Sequence, residues 1–274
     1  MSAALPVFVR TCGNPMTDSL AGVAQALYDG FMSVFQRLSA RVGEQDVLAS
    51  RGYAICTAPR SGSNWLAELL HSTGVLGQPL EYFNGYSRRV LDDPTYPDDP
   101  RQQVQRILTM GKTPNGVYAL KMFAYQFRAV ETHVRLSQDL PNLHFVFLRR
   151  RDILGQAVSW ARALQTNQYR STQPSAGEAT YNHAAILERL RIIIEEYALW
   201  DSYFARNGLS PVELNYEDML EAPQKACDRV AKLFGLEDQA VIRTERINLV
   251  IQRDVVNEEW RRRFVAEEGD LNRL

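Results

Sequence analysis

The stretch from Tyr53 to Trp65 constrains this chain most. Tyr53-Ala-Ile-Cys-Thr57 is a short apolar run that reads as a buried strand, and Asn64–Ser72 reads as a helix. Ala58-Pro-Arg-Ser-Gly-Ser63 joins them in a tight turn. A Gly- and Ser-rich turn at a helix N-terminus exposes backbone N–H groups and forms a ready anion site. Gly62 lets the backbone approach that anion closely. The P-loop pattern G-x-x-x-x-G-K-[ST] is the natural comparison. With Gly62 as the second glycine, Ser63 stands where the lysine belongs and Asn64 where the magnesium-binding hydroxyl belongs. Thr57 replaces the first glycine, and a cation enters the loop as Arg60. The turn suits an anion held without a metal; the plainer alternative is an ordinary strand-to-helix turn.

Val117–Met122, Leu143–Leu148 and Val212–Tyr216 are further strand candidates. Helices are expected over Asp152 to about Gln168, Tyr181–Arg206, Ala222–Phe234 and Glu258–Phe264, with Asn207-Gly208 as a C-terminal stop. Strands alternating with helices imply an α/β fold: a central, mainly parallel sheet with helices on both faces. Residues 84–100, with Asn84-Gly85 and prolines among aspartates, read as a loop. Residues 1–50 read as a helical extension to a main domain over 51–274. Leu20, Val23, Leu27, Phe31, Val34, Phe35, Leu38 and Val42 recur at helical spacing, with Thr17 or Asp18 as a cap. That stripe would pack on the main domain or on another copy of the chain, which makes a homodimer an expectation.

A second basic cluster follows the Leu143–Leu148 strand: Arg149-Arg-Arg151, then Asp152 and Gln156-Ala-Val-Ser159. Ligands of open α/β sheets bind at the carboxyl ends of strands. Asp152 can cap the next helix, and Ser159 lies two turns on along the same side. An arginine and a serine there could hold a second phosphate; a solvated basic face is the alternative. The clustering is local, because the formal net charge is −1, unlike a chain built for nucleic acid or an anionic membrane. Lysine occurs only at positions 112, 121, 225 and 232, so nearly all positive charge is arginine, whose planar fork matches phosphate and sulfate oxygens. The three cysteines, Cys12, Cys56 and Cys227, make no CxxC pair and suggest a reducing compartment. Neither a signal peptide nor a membrane span is expected, so the expected localisation is cytoplasmic.

The pairing of an Arg60-Ser-Gly-Ser63 loop with an arginine-then-Ala157-Val-Ser159 segment resembles the sulfotransferases that use 3′-phosphoadenosine 5′-phosphosulfate (PAPS). More closely, the chain resembles the bacterial trehalose 2-sulfotransferase family. Gln78-Pro-Leu-Glu-Tyr-Phe83, Thr113-Pro-Asn-Gly-Val117, Gln165-Thr166 and Asn257-Glu-Glu-Trp260 are collinear matches over about residues 52–266. The resemblance implies a P-loop-like α/β fold, PAPS as co-substrate, no metal, and O-sulfation of a small carbohydrate or glycolipid. It puts Arg60, Ser61, Gly62, Ser63 and Asn64 on the 5′-phosphosulfate and Arg150 with Ser159 on the 3′-phosphate, with Trp65 also among the donor-binding residues. Arg149 and Arg151 remain alternatives to Arg150. It also puts the general base at Glu81.

The residues support Glu81 independently. An attacking hydroxyl needs a proton acceptor, and Glu81 lies between Pro79-Leu80 and Tyr82-Phe83, where burial would raise its pKa. Lys121 ends a strand and faces either the donor or a structural ion pair. His71, His133, His144 and His183 have no motif context. The chain departs from the family in its N-terminal extension and at Ile251-Gln252-Arg253, where an arginine usually precedes the glutamine. A nucleotide kinase and a non-catalytic nucleotide-binding protein are the rival readings.

Overall fold

The computed structural model describes residues 48–169, 173, 176–248 and 255–272. The amphipathic stripe over 18–42, Cys12 and the Ile251–Arg253 segment lie outside the described residues.

Among the described residues four strands form one sheet: β1 (Arg51–Thr57), β2 (Val117–Phe123), β3 (Leu143–Arg149) and β4 (Val212–Asn215). The order is β2-β1-β3-β4 and every pairing is parallel. β2 is buried along its whole length, and it is apolar except for Lys121 rather than alternating. Alternate residues still divide between the two faces. Ala54, Cys56, Leu120, Met122 and Phe147 belong to one core, with Tyr197, Trp200 and Phe204 of a long helix. Tyr53, Ile55, Ala119, Val146 and Leu148 belong to the other, with Leu66, Leu69 and Val230. The sheet therefore lies between helical layers, as the alternation of elements predicts.

The helices are α1 (Ser63–Ser72), α2 (Gly85–Leu91), α3 (Pro100–Met110), α4 (Ala124–Val130), α5 (Leu136–Asp139), α6 (Ile153–Thr166), α7 (His183–Asn207), α8 (Tyr216–Glu221), α9 (Pro223–Ala231) and α10 (Val255–Glu268). α7 stops at Gly208 in the left-handed conformation, as expected. The expected loop over 84–100 is corrected: it holds α2, and Pro100 opens α3. Asn84 accepts from the Ser87 N–H and Asp99 from the Gln102 N–H. The same Asn-Gly and Asp-Pro pairs that mark turns are also helix starts. β4 ends at Asn215 rather than Tyr216, which opens α8. None of the helices among the described residues is long and apolar enough to cross a membrane.

Trp200 links the core to the loop. Its indole is buried, stacks on Phe127, and donates to the Thr57 carbonyl at 3.0 Å, fixing the last residue of β1.

Candidate active site

The loop after β1 is pinned from below. The Thr57 hydroxyl donates to the Leu148 carbonyl (2.7 Å) and is hydrogen-bonded to the Ser61 hydroxyl (2.7 Å), tying loop and β3 together. Gln156, fully buried on α6, donates to the Pro59 carbonyl at 2.7 Å and accepts from the Tyr197 hydroxyl. The Ser61 side chain is buried in this anchor and does not line the cleft above.

The loop's upper surface is shaped by two left-handed residues, Arg60 (φ 63°) and Gly62 (φ 87°). A Cβ at Gly62 would collide with the Tyr216 ring. Arg60 pays for a conformation that costs a side-chain-bearing residue about 1–2 kcal/mol. Its Nε donates to Ser159 Oγ (3.1 Å) and its Nη1 to the Tyr169 carbonyl (2.5 Å). No side chain among the described residues caps α1 at Gly62, and its first turn holds no acid. The positive end of the helix is left open to an anion.

One cleft of about 780 Å³ is lined by Arg60, Gly62, Ser63, Asn64, Trp65, Glu81, Lys121, Arg150 and Ser159 together. The two basic clusters thus share one opening. Of the three consecutive arginines, only Arg150 lines it. Arg149 pairs with Asp201 and lies over Phe147 and Tyr197, while Arg151 pairs with Asp218. The Arg150 guanidinium sits 5.0 Å over the Tyr216 ring and 3.6 Å from Asp152. Burial lowers the Arg60 pKa, and the neighbouring Arg150 charge lowers it further. Two guanidiniums crowded in this way are relieved by a bound anion. Arg150 Nε and Trp65 Nε1 are buried donors without a hydrogen-bond partner among the described residues.

On the opposite wall Glu81 Oε1 lies 3.0 Å from Lys121 Nζ. Glu81 Oε2 accepts from Gln126 Nε2 (3.0 Å) and Asn84 Nδ2 (3.2 Å). Lys121 also donates to Asn64 Oδ1, so the residue in place of a P-loop's metal-binding hydroxyl holds an ammonium instead. The expected rise in the Glu81 pKa is corrected. Burial does push its carboxyl up, but the Lys121 charge and hydrogen bonds from Lys121, Gln126 and Asn84 outweigh it, and the carboxyl lies below its ordinary value.

None of the four histidines lines the cleft. Cys56 and Cys227 are buried free thiols; burial raises both pKa values, Cys227 to about 12, which leaves them inert at neutral pH. Sequence reasoning passed over Asn84, Gln126 and Tyr216. Asn84 carried a signal, as the cap of a helix read as a turn. Gln126 carried none, since nothing near it in the chain concerns an anion or a carboxylate.

A parallel α/β sheet thus brings an uncapped helix N-terminus, a second guanidinium and a carboxylate–ammonium pair to one cleft, an arrangement able to hold an anion beside a proton acceptor. The chain belongs to the Stf0 sulphotransferase family, whose model matches residues 52–267. It is 29% identical over 208 residues to a trehalose 2-sulfotransferase of Mycobacterium tuberculosis, covering 61% of this chain and 78% of that protein. A trehalose 2-sulfotransferase of Mycolicibacterium smegmatis is 23% identical over 255 residues, covering 77% of this chain and 93% of that protein. The sulfotransferase domain of the Synechococcus PCC 7002 olefin synthase aligns with 12% identity and a TM-score of 0.38, covering 81% of this chain and 97% of that one, a likeness too slight to bear on the fold.

Proposed function

We propose that this enzyme transfers a sulfuryl group from PAPS to a hydroxyl of a carbohydrate acceptor, with Glu81 as general base. The observation that carries the proposal is the convergence of two basic clusters and one carboxylate on a single cleft. The open N-terminus of α1 and Arg60 suit the 5′-phosphosulfate, and Arg150 with Ser159 suits the 3′-phosphate. The indole of Trp65, which lines the same cleft, offers a flat surface to the adenine.

The acceptor oxygen attacks sulfur, the bond from sulfur to the bridging oxygen breaks, and 3′-phosphoadenosine 5′-phosphate leaves. Glu81 receives the hydroxyl proton. The ion pair with Lys121 keeps Glu81 ionised at neutral pH and ready to accept. Arg60, Lys121 and the loop N–H groups stabilise charge on the departing oxygen.

The relatives are named for trehalose, and a disaccharide of that kind is the acceptor class we favour. Aromatic side chains suit the C–H faces of a sugar, and Tyr86, Tyr125 and Trp160 line the cleft. Val90 and Leu91 on α2 and Leu164 on α6 also line it while remaining exposed, which suits an acceptor bearing an acyl chain.

The test uses the full chain, labelled PAPS, and trehalose and its acylated form as acceptors. Transfer should proceed in EDTA and should not occur with ATP as donor. Glu81→Gln should lower turnover at least about a hundredfold, in the range of general base catalysis, while 3′-phosphoadenosine 5′-phosphate binds as before. A Glu81→Gln enzyme with near-normal turnover would remove the base assignment. ATP-dependent, EDTA-sensitive transfer would support a kinase, and nucleotide binding without transfer to any acceptor a non-catalytic role.

A further inference from the structure

Glu81 sits on the irregular segment between α1 and α2, which by itself leaves a carboxylate free to rotate. Three donors hold it: Lys121 on Oε1, and Asn84 and Gln126 on Oε2. A carboxylate offers about four lone-pair positions. With three occupied, one remains for an incoming hydroxyl proton.

Gln126 is itself firmly held. It is 3% exposed. Its Oε1 accepts from the Phe123 N–H at 3.1 Å, so its Nε2 has to face Glu81. The amide cannot flip without placing two donors against each other and leaving the carboxylate against an oxygen. The segment under it is anchored in turn. Glu196, a buried carboxylate on α7, accepts from the Ala124 N–H (2.7 Å) and the Tyr125 N–H (3.0 Å), the first two residues of α4. A buried carboxylate with no role at the cleft thus ties down the helix start that carries Gln126.

We propose that Gln126 is a positioning residue for the sulfuryl transfer, orienting Glu81 so that its one open lone pair faces the acceptor, with Glu196 fixing the start of α4 beneath it. The inference rests on the reading of Glu81 as general base. The charged and titratable groups around Glu81 are Lys121 on β2, Tyr125 on α4, and Glu68 on α1, which lines the small recess behind it; Asn64, Asn84 and Gln126 are neutral.

Glu81 works ionised, so kcat/KM falls as the pH drops through its pKa. Donation from Gln126 favours the ionised form. Without it the carboxyl pKa rises, and the acid limb moves to higher pH.

The experiment measures kcat/KM against pH for the wild type, Gln126→Met and Gln126→Glu, with melting curves and 3′-phosphoadenosine 5′-phosphate affinity for each. Gln126→Met removes the donor at nearly constant volume. Gln126→Glu keeps an acceptor for the Phe123 N–H, so it preserves the structural contact if the methionine variant does not fold. The acid limb should move up by about one pH unit in Gln126→Met, the size of one hydrogen bond to a charged group, and by more in Gln126→Glu, with nucleotide affinity within about threefold. An unmoved acid limb in a folded variant, while Glu81→Gln is inactive, overturns the role of Gln126 and leaves the base assignment standing. An active Glu81→Gln enzyme overturns the base assignment instead.

Discussion

Lys121→Met should destabilise the protein strongly near neutral pH and only weakly in mild acid. Lys121 and Glu81 are 3% and 19% exposed and 3.0 Å apart. At an effective dielectric near 20, that separation corresponds to about 5 kcal/mol of gross attraction. Both charges are already desolvated, so the relevant quantity is the cost of stranding Glu81, about 3–5 kcal/mol for one half of a buried pair. At about 2 °C per kcal/mol for a chain of this size, Tm should fall by about 6–10 °C at pH 7.

The pH dependence is the sharper signature. In the wild type Glu81 is held below its ordinary pKa, so the pair contributes fully above the unfolded carboxyl pKa and is lost as pH falls through the folded one. Without Lys121, burial dominates and pushes the carboxyl up. The variant then relieves its buried charge by taking up a proton, and stability is lost as pH rises instead. The Tm difference between wild type and variant should therefore shrink steadily from pH 7 to pH 4. Melting curves across that range, with Glu81→Gln and the double variant alongside, make the comparison. The double variant should be more stable at pH 7 than Lys121→Met alone, because it strands no charge. A Tm difference that stays constant with pH would refute the coupling between Lys121 and Glu81.

Two further outcomes are expected. Calorimetric titration with 3′-phosphoadenosine 5′-phosphate should show Arg150→Ala weakening binding by about ten- to a hundredfold, as for a lost hydrogen bond to a charged group. Arg149→Ala and Arg151→Ala should stay within about threefold, since their guanidiniums pair with Asp201 and Asp218 outside the cleft lining. Gly62→Ala should lower Tm by several degrees, because φ 87° and the Tyr216 ring leave no room for a side chain at a cost of about 1–3 kcal/mol. Retained nucleotide affinity in that variant would count against the loop as the phosphosulfate site.

The features that could be read from the residues are local ones. A short apolar run, a glycine that permits a left-handed turn and a following helix are interactions between near neighbours. So the strand, the loop with Arg60 and Gly62, and the parallel α/β arrangement were legible before any coordinates. Glu81 was legible through the family resemblance and its apolar flanks. The tertiary structure alone decided what depends on groups distant in the chain. Three adjacent arginines are equivalent in sequence, and only the path of β3 into α6 turns Arg150 toward the cleft while Asp201 and Asp218 draw its neighbours away. The direction of the Glu81 pKa was misjudged because burial was visible in the flanking residues and Lys121 was not. A pKa is the balance of desolvation against nearby charge, and the winning charge lies across the fold on β2. Gln126 and Glu196 became meaningful in the same way: α4 follows β2 directly, and α7 packs a carboxylate beneath the turn between them.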